Sequence, residues 1–189
     1  MRGQRADRMI AEIPAFEDSP RGGGNFNEHS RKRTLQARCA ILTISDSRSF
    51  ETDESGKLIR GLLEGSGHRV VHYDILRNDP SMLQQEVSRL LDSDLDLIIT
   101  TGGTGVSHRD FTIETVEPML EKRLSGFGEL FRSLSFREIG PRAFMSRALG
   151  GVAKGKALFA LPGSIHAVEL ALKELILPEL GHLIWEVNR

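Results

Sequence analysis

The amino-acid sequence predicts an α/β fold: a three-layer, doubly wound, mostly parallel sheet with helices on both faces and a small β-hairpin unit. Three observations predict it. Short apolar runs, Cys39 to Ser45, His68 to Leu76 and Asp96 to Thr101, alternate with segments whose apolar residues keep a helical rhythm. The connections between them are short, so right-handed crossovers are expected. A glycine cluster directly follows the third run, where open α/β sheets bind ligands.

Each element has its own local signal. Cys39 to Ser45 is apolar enough to be a strand covered on both faces. Asp53 stands at an N-cap position, and Leu58, Ile59, Leu62 and Leu63 form one helix face closed by Gly65 and Gly67. Asp79-Pro80 opens the next helix, with Met82, Leu83, Val87, Leu90 and Leu91 as its apolar stripe. Phe127 to Ile139 predicts a helix with Leu130, Phe131, Leu134 and Ile139 toward the core. Ala148 to Val152 and Ala157 to Leu161 flank Lys154-Gly155-Lys156 as a hairpin. Ser164 starts a long last helix, which Pro178 is expected to break.

The 189 residues suit one domain plus a tail. Residues 1–36 are Arg-rich, contain Gly22-Gly23-Gly24 and lack periodicity, which predicts a mobile tail or an oligomerisation arm anchored by Met9, Ile10, Ile13 and Phe16. Residues 37–189 form the predicted domain. A formal net charge of −1 gives no reason to expect nucleic acid or a membrane as partner. Neither a signal peptide nor a spanning segment is visible, so a soluble, cytoplasmic protein is expected. The single cysteine, Cys39, excludes an intramolecular disulfide and a thiolate-rich zinc site, and its apolar setting reads as a buried structural thiol.

The chemistry concentrates at predicted strand ends. Thr101-Gly102-Gly103-Thr104-Gly105 offers backbone N–H groups unobstructed by Cβ atoms, and threonine hydroxyls add donors, so phosphate is the expected guest. It is neither a GxGxxG fingerprint nor a GxxxxGK[ST] loop. Arg109 and Asp110 supply a cation for phosphate and a carboxylate for Mg²⁺, and Thr112 is placed to cap a helix. His108 has no second ligand at metal spacing and reads as an exposed loop residue. Ser45, Asp46 and Asp53 follow the first strand, and Pro162, Gly163 and Ser164 follow the last. In a parallel sheet all these ends share one rim, which would gather Asp46, Asp53 and Asp110 near the glycine loop.

The run Thr101 to Gly105, then Arg109-Asp110 and Thr112, then Leu161-Pro162-Gly163-Ser164, resembles the molybdenum cofactor biosynthesis MoaB/MogA family. Ser45-Asp46, the Asp53 and Ser55-Gly56 helix start, and Gly126-Phe127-Gly128-Glu129 are similar to its other signatures. The likeness runs from about Arg38 to the C-terminus and leaves the tail out. It implies a molybdopterin-binding, Rossmann-like domain that transfers AMP from ATP to the terminal phosphate of molybdopterin, releasing pyrophosphate, with Mg²⁺. It implies Asp53 and Asp110 as catalytic residues holding Mg²⁺ through substrate phosphates. Ser45, Asp46, Thr101 to Gly105, Arg109, Thr112 and Pro162 to Ser164 are implied to bind phosphate and nucleotide. Glu129, Ser135, Ser146 and Arg147 fall in segments that resemble the pterin side. The resemblance further implies a homotrimer or homohexamer, and a hand-over to the metal-insertion protein of the same pathway. Rival readings are a family member that binds the pterin without adenylylating it, a scaffold domain, and a CinA-like hydrolase. Retention of both Asp53 and Asp110 favours the enzyme.

Overall fold

A computed structural model describes residues 35–189, so the predicted tail and its anchors Met9, Ile10, Ile13 and Phe16 lie outside the described residues. The elements follow as β1 (Arg38–Ile44), α1 (Glu54–Gly65), β2 (Arg69–Leu76), α2 (Pro80–Leu91), β3 (Leu97–Thr101) and α3 (Thr112–Val116). After a 3₁₀ turn come β4 (Lys122–Arg123), α4 (Ser125–Ile139), β5 (Leu149–Ala153), β6 (Lys156–Leu161), α5 (Ile165–Leu170) and α6 (Leu177–Val187). The six strands form one sheet in the order β2-β1-β3-β6-β5-β4. β1 pairs in parallel with β2 and β3, β3 pairs in parallel with β6, and β5 runs antiparallel to its neighbours.

Alternation along the strands divides the core in two. Ile41, Leu97, Ile99 and Phe159 face α1, α4, α5 and α6 through Ile59, Leu63, Phe131, Val168 and Ile184. Ala40, Leu42, Ile44, Ile98 and Leu158 face α2 and α3 through Leu83, Val87, Leu90, Ile113 and Val116. The central strands read as unbroken apolar runs because helices cover both of their faces. Burying each such Leu or Ile contributes on the order of 2 kcal/mol. The expected three layers are present.

Local signals set the helix starts. The Asp53 carboxylate accepts from the Gly56 N–H at 2.9 Å, Asp79 accepts from the Ser81 and Met82 N–H groups, and the Ser164 hydroxyl oxygen accepts from Ala167. In the predicted hairpin Lys154 and Gly155 both have positive φ, 47° and 71°, the two-residue turn whose twist matches antiparallel strands. The hairpin is not a separate unit, since β6 is itself a central strand of the main sheet.

Three expectations need correction, and one strand went unforeseen. Met82, Leu130 and Ile139 are exposed, because they point away from the sheet on helices whose buried stripe is narrower than their apolar content. Thr112 does not cap α3: it is the first helical residue, Phe111 occupies the N-cap, and no side chain caps that end. Pro178 does not break the last helix. A wide π turn at Ala171–Ile176 precedes it, and Pro178 falls in the first turn of α6, where a missing N–H costs little. β4, an edge strand of two residues, had no sequence signal.

Cys39 is fully buried in β1, and burial pushes its thiol up to about 12. A maleimide or disulfide reagent at pH 8 should leave the folded protein unlabelled and modify one site after denaturation. Rapid labelling of the native protein would show that β1 is open to solvent.

Candidate functional site at the carboxyl rim of the sheet

β1 connects outward to β2, and the chain then crosses back to place β3 on the other side of β1. The carboxyl ends of β1 and β3 therefore flank a topological switch point, where the two connections diverge and leave a crevice. The Gly102 to Gly105 loop leaves β3 there. Gly102 has φ +93°, and a Cβ on it would collide with the Ile44 carbonyl oxygen at the end of β1. A Cβ on Gly163 would lie 3.1 Å from the Gly102 Cα, so the turn after β6 also closes on this loop.

The loop's polarity is sorted by its surroundings. The Thr112 hydroxyl donates to the Gly102 carbonyl at 2.8 Å and the Thr112 N–H to the Gly103 carbonyl at 2.9 Å. Arg147 donates through Nε to the Thr104 carbonyl at 2.9 Å and through Nη2 to the Gly105 carbonyl at 2.6 Å. All four carbonyls are thus held by protein donors. By contrast, the N–H groups of Gly103, Thr104 and Gly105 donate to no protein group among the described residues. Successive free N–H groups in a turn form an anion-binding concavity. Arg147 also pairs with Glu114, and the hydrogen bond from its guanidinium holds that carboxyl below its usual range.

The predicted residues divide into those that face this rim and those that support it. Asp110 is half-buried; its Oδ2 accepts from the Ser107 N–H at 2.9 Å and would lie 2.6 Å from a Cβ on Gly105, so the carboxylate sits against the glycine loop. Asp46 is exposed at the end of β1 and its Oδ1 accepts from the Asn78 N–H at 3.0 Å. Asn78, which sequence reasoning passed over, also donates its side-chain amide to the Arg109 carbonyl and so ties the end of β2 to the Asp110 loop. The Ser45 hydroxyl oxygen accepts from the Ser47 and Arg48 N–H groups and shapes the turn after β1. Arg109 and His108 are exposed. Thr101 and Thr104 are buried, and Thr101 donates its hydroxyl to the Pro162 carbonyl at 3.2 Å, so it braces the β6 turn. Ser55 donates to the Gly163 carbonyl at 2.8 Å, linking the start of α1 to the same turn.

Asp53 is placed differently from Asp46 and Asp110. It is 1% exposed, with Oδ1 bonded to Gly56 and Oδ2 accepting from the Tyr73 hydroxyl at 2.6 Å. The three aspartates share a rim without forming a metal cage: among the described residues no three His, Cys, Asp or Glu side chains stand together as a metal centre. The rim carries separate carboxylates, with Asp110 against the glycine loop and Asp53 buried at the start of α1. Mg²⁺ needs only one or two carboxylates when substrate phosphates complete its shell, so Asp110 is a fitting donor.

Of the residues assigned to a pterin side, Arg147 reaches the glycine loop. Ser135 is buried on α4, Glu129 is exposed there, and Ser146 precedes Arg147 in the turn before β5. Arg147→Ala should loosen the loop and raise the KM for a phosphate-bearing substrate about tenfold, as expected for losing one charged, multi-bonded anchor. An unchanged KM would mean that the loop keeps its shape without this side chain.

Comparison with known proteins follows the same outline. The family described as "Probable molybdopterin binding domain" matches residues 40–182. Molybdenum cofactor biosynthesis protein B of Bacillus cereus is 48% identical over 167 residues, covering 87% of this chain and 99% of the relative. A crystal structure of a molybdenum cofactor biosynthesis protein B superposes with a TM-score of 0.80 at 48% identity, over 82% of this chain and 98% of the other. The tungsten cofactor synthesizing protein MoaB from Pyrococcus furiosus superposes with a TM-score of 0.74 at 34% identity, again over 82% and 98%. Among the described residues no helix is long and apolar enough to cross a membrane.

Proposed function

Because the chain belongs to the molybdopterin-binding domain family, we propose that it acts in molybdenum cofactor biosynthesis by adenylylating molybdopterin. The observation that carries this reading is the loop from Gly102 to Gly105, with its carbonyls held by Thr112 and Arg147 and its N–H groups open to an anion. An oxygen of the pterin's terminal phosphate attacks the α-phosphorus of ATP. That P–O bond forms as the bond to the bridging oxygen breaks, and pyrophosphate leaves with the electron pair. No protein nucleophile takes part, so what the protein supplies is placement and charge neutralisation.

The N–H groups of Gly103 to Gly105 hold a phosphate without needing reorganisation as charge moves. Arg109, exposed on the adjoining turn, meets phosphate oxygens. Asp110 would hold Mg²⁺ against the substrate phosphates, and Asp53, bonded to Gly56 and Tyr73 at the start of α1, would support the metal and triphosphate from there. When bound, the ion neutralises charge on the phosphates and the leaving pyrophosphate. Ser45, Asp46 and the Pro162 to Ser164 turn line the nucleotide side.

Mixing the protein with ATP, Mg²⁺ and molybdopterin tests the reading: adenylylated pterin and pyrophosphate should appear in equal amounts. Pterin binding without transfer would favour the non-adenylylating alternative. Self-association into a homotrimer or homohexamer belongs to the same reading. It is supported by the exposed Leu130, Phe136 and Phe144, 57%, 58% and 78% accessible, on α4 and the turn after it. A monomer by sedimentation would remove that part.

A further inference from the structure

We propose that Tyr73 is a positioning residue that acts on adenylyl transfer through Asp53; the proposal rests on the adenylyltransferase reading. Tyr73 comes from β2, the edge strand, and its hydroxyl donates to Asp53 Oδ2 at 2.6 Å across 20 residues of sequence. Its ring is braced edge-on by Phe50, with centroids 5.4 Å apart at 82°. The other carboxylate oxygen of Asp53 accepts from Gly56 at 2.9 Å. A side chain at position 56 would be driven into Asp53 Oδ2, the Tyr73 hydroxyl and Thr43 Oγ1, so only glycine lets these three oxygens meet. Thr43 Oγ1 is itself buried without a partner among the described residues, which leaves Tyr73 as the hydroxyl that satisfies the carboxylate.

A side chain only 1% exposed is cut off from water, so each carboxylate oxygen of Asp53 takes a donor from the protein. Tyr73 is suited to that task. Its hydroxyl donates to Oδ2 at 2.6 Å, and the Phe50 ring packed edge-on holds the phenol in place. The consequence reaches the site through two contacts. Asp53 fixes the first turn of α1, where Ser55 donates to the Gly163 carbonyl at 2.8 Å, and Gly163 packs directly against Gly102. Loss of the Tyr73 bond leaves Oδ2 unsatisfied and lets this turn shift. Small displacements of a positioning element fall on the reacting geometry more than on ground-state binding.

The test is a double-mutant cycle of Tyr73→Phe and Asp53→Asn. Tyr73→Phe keeps the ring against Phe50 and removes only the hydroxyl. It should lower kcat about tenfold, while the KM for ATP and the calorimetric affinity for Mg-AMP stay within about twofold. Asp53→Asn should lower kcat further, and the double variant should be no worse than Asp53→Asn, because both changes break one connection. Thermal melting and the Mg-AMP binding stoichiometry measure the folded fraction, so kcat is counted per folded molecule. Wild-type kcat in folded Tyr73→Phe, or penalties that multiply in the double variant, would overturn the proposal while leaving the enzyme reading intact. A wild-type protein that forms no adenylylated pterin would overturn both.

Discussion

Gly102→Ala is expected to lower the unfolding free energy by about 3 kcal/mol or more. Two costs add. The residue has φ +93°, a backbone conformation that alanine reaches only with strain. The new Cβ would also collide with the Ile44 carbonyl, which belongs to the last residue of β1 and cannot move without disturbing the parallel ladder with β2. Neither obstacle is a flexible side-chain end, so relaxation offers little relief. A urea midpoint measured beside wild type checks this at constant m-value. A loss below about 1 kcal/mol would mean that the β1 and β3 ends are not held together as described.

Asp110→Asn is expected to lower kcat by at least about a hundredfold with the fold intact, the scale seen when one electrostatic contributor is removed from a preorganised site. The amide is nearly isosteric. Its oxygen can still accept from the Ser107 N–H, so the turn beside Gly105 should persist and the melting temperature should hardly change. What disappears is the negative charge against the glycine loop, and with it the carboxylate proposed to hold Mg²⁺. A rise in the Mg²⁺ concentration for half-maximal turnover should accompany the loss. Turnover within about threefold of wild type would remove Asp110 from the proposed chemistry, since loss of a metal-holding charge costs far more than that.

How far the site could be read in advance depended on the range of the interaction. Asp53, Asp79 and Ser164 were recognisable as caps because a cap joins a side chain to an N–H two or three residues on. The glycine loop stood out because it directly follows a buried apolar strand. Thr112 carried an equally local signal, and it misled. Its hydroxyl turns back to the Gly102 carbonyl rather than to its own helix, because the loop carbonyls needed donors. Arg147 closes on Thr104 and Gly105 from 43 and 42 residues away, a contact that no local pattern announces. Asn78 and Tyr73 carried no signal at all, as neither lies in a recognisable motif. The exposed Leu130 and Ile139 fit a helical rhythm whose phase only the packing of α4 against β5 and β6 could select.

By itself the sequence determined the strand and helix order, the parallel core and the chemical character of the rim. Those follow from hydrophobic period, turn residues and glycine placement, all of which act over a few residues. Only the tertiary structure decided which aspartates remain open to solvent, which threonines are spent as braces, and which arginine holds the loop. A polar group takes whichever partner the folded chain brings within about 3 Å, and that choice is made across the sheet rather than along the chain.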